Sequence, residues 1–372
     1  MKGENLPALI GAPVGQLYVY REAGSAWQLI PSQIDEVTAT GAYTTTEDGL
    51  LDANDEVVFM AGDAGDEATT PITQALAISP FWYKVEVSDP LSVEKGWAYI
   101  VRSTGAVPPS PDYVNYDPGS LQVQAINYVL GWATTQSGVD YMTLFGGPDI
   151  LDRTKIRVRL HSGLTLTEDN PLFNPPPPVV LIRDGAVRVI VKRGPATLVG
   201  YASLLQNITP LSLPSSVTVD EARLSTDLSP AASGGTYYNE NTPAGATIDG
   251  VADVIGTTPL IHSWRQVSLA NGTIIQVADI DSAGGTPSHY YKDDSAVDSK
   301  DTGDQMSYGD SGVVVTLPTA KSFTIVTAQY ILPGQQPNRG EEFYNNYNAA
   351  LTFTAQLETS LGRKVYLPLV WR

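Results

Sequence analysis

Imidazole is scarce in this chain, so each histidine is weighed for proton transfer and ligation. Three occur in 372 residues: His161, His262 and His289. His262 opens the string His262-Ser263-Trp264-Arg265, and His289 heads His289-Tyr290-Tyr291. An imidazole or phenol base, a phenol acid and a guanidinium that neutralises a carboxylate are what β-elimination from a uronic acid requires. His262, Arg265, His289 and Tyr290 therefore form the candidate catalytic set, provided that the fold brings them to one concave face. The same side chains suit stacking on a sugar and hydrogen bonding to it without chemistry. His161 closes an alternating strand and reads as structural.

Two acidic runs form a second class of candidates. Residues 47–56 (EDGLLDANDE) place Asp48, Asp52 and Asp55 around a turn glycine, a spacing similar to a calcium loop. The pattern is incomplete, because Thr44 and Thr46 fall where an EF-hand loop carries its first ligands. Residues 292–304 (KDDSAVDSKDTGD) hold Asp293, Asp294, Asp298, Asp301 and Asp304. Carboxylates so close repel one another, and a hard cation relieves the repulsion. Calcium is the expected cofactor of both runs; a solvated acidic loop is the simpler alternative. Gly309-Asp310-Ser311-Gly312 resembles the surroundings of a serine-protease nucleophile, but the chain has no cysteine and no other landmark of that family. A Gly-x-Ser-x-Gly elbow, a phosphate-binding glycine loop and zinc-ligand spacing are absent.

Composition narrows the partners. Forty acidic residues against 22 basic ones give a formal charge of −18. A field of that sign disfavours nucleic acid and anionic membrane surfaces. No run approaches membrane-spanning length. With 19 Tyr and 6 Trp against 7 Phe, the aromatic set is rich in rings that carry a polar edge. Such rings serve carbohydrate platforms and protein contacts alike. The absence of cysteine rules out disulfides and thiolate metal sites. Low lysine content and abundant Thr, Ser, Asn, Gly and Tyr point to an extracellular, secreted or cell-surface protein.

The elements that must position these residues are strands. Thirty-three Gly and 27 Pro leave few uninterrupted helical windows, and 340–351 is the best helix candidate. Lys155, Arg157 and Arg159 alternate with Ile156, Val158 and Leu160, the period of a half-buried strand. Similar β-rich runs at 15–21, 56–60, 82–87, 97–102, 179–183, 187–193, 274–278, 312–317, 322–327 and 351–356 predict an all-β protein built as a large antiparallel β-sandwich. Asp184-Gly185 marks a hairpin turn. The proline-rich stretch from Pro108 to Pro118 is the expected boundary between a smaller N-terminal β unit (1–107) and a large β-sandwich domain (108–372). Two polar stretches, 229–241 and 281–310, read as long loops.

The strings 27–36 (WQLIPSQIDE) and 51–60 (LDANDEVVFM) resemble the N-terminal segment of a group of poorly characterised secreted bacterial β-sandwich proteins. Residues 152–157 and 184–190 are similar to strings in the same group and to strands of galactose-mutarotase-like supersandwich domains, found in sugar epimerases and polysaccharide lyases. The resemblance implies a supersandwich and an extracellular setting. The expected function is a calcium-stabilised carbohydrate-binding or carbohydrate-active protein, with polysaccharide lyase as the candidate activity and a polysaccharide or cell-surface glycan as partner. The alternative is a structural or adhesive cell-surface protein that self-associates and has no catalytic site.

Overall fold

A computed structural model describes the chain apart from residues 47, 70–71, 73–77, 105–110, 171–175, 213–217, 257–259, 261, 281–284, 317–321 and 360–372. Pro108, Pro109 and the closing segment 365–372 therefore lie outside the described residues. The protein is all-β: antiparallel strands dominate, and the helix Gly340–Asn348 is the one α-helix among the described residues.

The chain divides into two compact units. The first comprises Met1–Tyr113, Gly185–Val187 and Ala349–Arg372. Its five-stranded sheet runs, edge to edge, Ala26–Leu29, Leu17–Ala23, Lys95–Arg102, Phe81–Ser88 and Thr352–Thr359. Alternation puts Val19, Val85, Ala98 and Ile100 on one face, where they pack with Leu6, Leu9, Ile34, Leu51 and Val57. Tyr20, Trp82, Tyr99 and Val101 line the other face around Ile72. The 352–359 strand was expected in the large C-terminal sandwich. It pairs instead with Phe81–Ser88 over its whole length, from Thr352 opposite Ser88 to Thr359 opposite Phe81, and so completes the first unit's sheet.

The second unit comprises Val114–Asp184 and Arg188–Asn348. A nine-stranded sheet forms its base, with Ser322–Pro333 hydrogen-bonded between Leu204–Ser212 and Gly272–Ile280. Two smaller sheets cover the same face of this base. A four-stranded sheet from Val114 to Leu144 buries Val123, Tyr128, Leu130 and Met142 against Val189, Val191, Leu198 and Ile331. A five-stranded sheet runs Thr165–Thr167, Leu151–Leu160, Val219–Leu228, Ser307–Thr316, Thr286–Asp294. It buries Val158, Ala222, Val313 and Val315 against Ala278, Phe323 and Ile325. This is the two-layer sandwich that alternating strands predict.

The two long loops read from sequence are shorter than expected. Within 229–241 lie a 3-10 turn, Pro230–Ala232, and the strand Gly235–Asn239, whose Tyr237 is fully buried. Within 281–310, the strand Thr286–Asp294 and the start of Ser307–Thr316 leave a connection of residues 295–306. Polar residues in these strands find buried partners, which composition alone does not reveal.

Candidate functional site

The five-stranded sheet of the second unit carries an ionic face. Opposite residues in antiparallel strands share a face, so the row Lys155, Ser225, Gly312, Tyr290 points one way, as does the row Arg157, Arg223, Val314, Ser288. Asp227 and Asp310, two residues along their strands from Ser225 and Gly312, lie on this face as well. The 295–306 connection folds back over it. Lys155, fully buried, holds Asp227 at 2.5 Å and Asp301 at 2.9 Å. Arg157 binds Asp301 at 2.8 Å and Thr302 at 2.7 Å and also pairs with Glu168. Arg223 sits 3.8 Å from the Tyr290 ring centre.

Burial opposes the charge of Lys155, yet Asp227 and Asp310 outweigh it and raise the ammonium's pKa. Burial would likewise raise the Asp301 carboxyl, but Lys155 and Arg157 overcome it and hold the group at about 2. Asp227 goes up: burial and the neighbouring Asp310 carboxylate outweigh the pull of Lys155. Asp152 is pushed up to about 6, by burial and then by Asp304. Carboxylate oxygens of Asp152, Asp227 and Asp304 lie within 4.8 Å of one another, the one such cluster among the described residues. Gly303 crosses over Asp152 with φ +75°, and a Cβ there would fall 1.9 Å from the Asp152 Oδ2. Only glycine fits that crossing.

A second cluster lies on the other side of the base sheet. Trp264 points away from the interior that its neighbour Arg265 enters, and the helix Gly340–Asn348 packs against it. Gly340 permits the contact, since a Cβ at that position would meet the indole at 1.9 Å. The next residue, Glu341, then accepts the Trp264 Nε1–H at 3.0 Å and lies 2.9 Å from His262 Nδ1 through the same oxygen. His262 stacks on Tyr344 with ring centres 4.6 Å apart. Behind this surface, Glu240 accepts the His262 backbone N–H at 2.8 Å and lies 3.4 Å from His289 Nε2. Burial lowers the pKa of His289, against the pull of Glu240.

The structure thus brings together some of the residues singled out from sequence. His262 and His289 share Glu240. Arg265 does not join the surface: its guanidinium is buried between the sheets, bonded to Gln276, Ser311 and Thr226. Tyr290 points to the ionic face, opposite to His289 on the same strand, because successive side chains alternate. His161 is exposed, 3.1 Å from Asp220.

Of the acidic candidates, Asp304 alone enters the carboxylate cluster. Asp301 binds Lys155 and Arg157, and buried Asp293 accepts the backbone N–H groups of Asp249, Gly250 and Gly309. Asp294 and Asp298 cap their own turns through the N–H groups of Ala296 and Lys300. In the first run, Asp48 accepts the Leu50 N–H, and buried Asp55 accepts those of Val37 and Asp52. Among the described residues, Asp48, Asp52 and Asp55 do not converge on one point. Sequence reading missed Asp152, Asp227, Glu240 and Glu341. Each partner lies tens of residues away, and no local spacing advertises it.

No family model matches the chain, and no curated protein matches it. Among solved structures, the chain is similar to an alpha-mannosidase from Enterococcus faecalis V583 (TM-score 0.48, 9% identity, 92% of this chain and 40% of that one). It is also similar to a protein in glycosyl hydrolase family 38 from Enterococcus faecalis (TM-score 0.38, 10% identity, 92% and 42%). A third is the alpha-N-acetylgalactosaminidase NagBb from Bifidobacterium bifidum in complex with GalNAc (TM-score 0.39, 11% identity, 61% and 38%). The chain spans about two fifths of the length of each. At these scores and identities none of the three fixes an activity for it.

Proposed function

We propose that the chain is an extracellular carbohydrate-binding β-protein whose sugar contact is the surface formed by His262, Glu341 and Tyr344, with the buried Trp264 holding Glu341 from behind. The observation that carries this reading is the single Glu341 oxygen shared by the indole N–H and the imidazole, with the imidazole stacked on Tyr344. Planar rings suit the C–H face of a pyranose, and a fixed carboxylate and imidazole suit its hydroxyls. His262 and Glu341 are both solvent-accessible, with side chains 38% and 50% exposed. The shared oxygen holds the imidazole orientation before any ligand arrives, which lowers the cost of binding.

This geometry favours binding over elimination. A carboxylate-oriented imidazole is half of a general base arrangement. The guanidinium and phenol that a lyase would add, Arg265 and Tyr290, are committed elsewhere. Affinity electrophoresis through gels containing neutral and acidic polysaccharides tests the reading. The wild-type chain is expected to be retarded by at least one polymer, and His262→Ala and Tyr344→Ala are expected to lose about tenfold or more of that affinity. Migration unaffected by every polymer would overturn it. Release of unsaturated uronides from an acidic polymer would show that the site eliminates as well as binds.

A further inference from the structure

We propose that Asp152, Asp227 and Asp304 form a calcium site on the ionic face of the second unit, closed from above by residues 295–306. The site is independent of the glycan surface. Three carboxylates from three separate segments present oxygens within 4.8 Å of one another, with no imidazole among them. An all-oxygen set suits a hard cation. Calcium accepts six to eight oxygen ligands and tolerates several carboxylates, whereas magnesium usually binds through one or two carboxylates and keeps most of its waters.

The surroundings lack positive charge for the acids they hold. Asp152, Asp227, Asp301, Asp304, Asp310 and Glu168 outnumber Arg153, Lys155, Arg157 and Arg223. Lys155 is spent on Asp227 and Asp301, and Arg157 on Asp301 and Glu168. Asp310 supplies the independent sign of a missing cation. It is wholly buried, shares the face with Asp227, and neither of its oxygens accepts a hydrogen bond. Its nearest cation, Arg223, stands 3.9 Å away. The buried Oδ2 of Asp152, 3.6 Å from Arg153 Nε, and Oγ of Ser225 also lack hydrogen-bond partners. Buried carboxylate oxygens seldom remain unpaired, and an ion is one of the standard remedies. Gly303 lets the covering loop pass directly over Asp152, so the third ligand, Asp304, arrives on the next residue.

The experiment is calorimetric titration of the full chain, stripped with a chelator, with calcium chloride and separately with magnesium chloride. The expected result is a calcium site that also raises the melting temperature. It should weaken at least tenfold in Asp152→Asn and Asp304→Asn and persist in Asp48→Asn. Absence of calcium binding, magnesium preferred over calcium, or binding lost in Asp48→Asn but kept in Asp304→Asn would each overturn the assignment. Limited proteolysis of the wild-type chain guards against misfolded variants. Calcium should protect residues 295–306 from cleavage relative to the stripped protein, and equal cleavage would count against the site.

Discussion

Lys155 shows what a single side chain contributes when its charge is buried. Its ammonium is fully enclosed between Asp227 and Asp301, and breaking such a pair from one side typically costs about 3–5 kcal/mol. The linked carboxyl, Asp301, makes a pH effect measurable. Its folded pKa of about 2 lies below the ordinary 3.8. The group therefore stabilises the fold fully above pH about 4, and that stability is lost as pH falls towards about 2. Denaturant titrations across this window should show the wild-type chain losing stability more steeply than Asp301→Asn; parallel curves would contradict the assignment. The strand carrying Lys155 was legible from its alternation, but the fate of its polar side was not. A period of two separates the two faces of a strand without saying whether the polar one meets water or a counter-charged loop. Asp152 and Asp227 stayed hidden for the same reason: each stands outside the acidic runs, and only the fold brings it to Asp304.

At the level of elements, glycine contacts decide where the pieces meet. Gly340 opens the helix Gly340–Asn348 against the Trp264 ring, and Glu341 reaches His262 because that approach is so close. Gly340→Ala forces a methyl group into the indole. Overpacking of this kind usually costs about 1–3 kcal/mol. The variant should remain folded, lose stability in that range by urea denaturation, and bind polysaccharide more weakly. Unchanged binding would separate the helix from the sugar surface. The same helix and most strands could be read from sequence, since apolar runs bounded by Gly and Pro are local signals. Which sheet each strand joins is non-local. The run 351–356 reads as a strand, but nothing in the eight residues of Thr352–Thr359 names Phe81–Ser88 as their partner.

For the whole molecule, the consequential fact is that the first unit is discontinuous in sequence, with the second unit's chain lying between its parts. Removing Ala349–Arg372 strips Phe81–Ser88 of a neighbour paired along its full length. Amide hydrogen exchange in Phe81–Ser88 is expected to accelerate about tenfold or more in that truncation, while the strand Ser322–Pro333 of the second unit keeps its protection. Equal protection in the intact and truncated chains would show that the strand is dispensable. From sequence the expected N-terminal β unit is 1–107, one continuous stretch, whereas the first unit also takes in Gly185–Val187 and Ala349–Arg372. Proline-rich stretches signal where a chain leaves a domain; no comparable composition signals where it comes back.

That late return has a consequence for biosynthesis. A ribosome delivers Phe81–Ser88 long before it delivers Thr352–Thr359, with the second unit's residues emerging in between. Throughout that interval the nascent sheet has an unpaired edge, the kind of surface that recruits stray strands from other chains. The opposite faces of that edge strand carry Tyr83 and Val85 on one side and Trp82 on the other, so it is sticky on both. Newly made protein should therefore be most prone to aggregation, and most dependent on a holding chaperone, between completion of the first 113 residues and arrival of the closing strand.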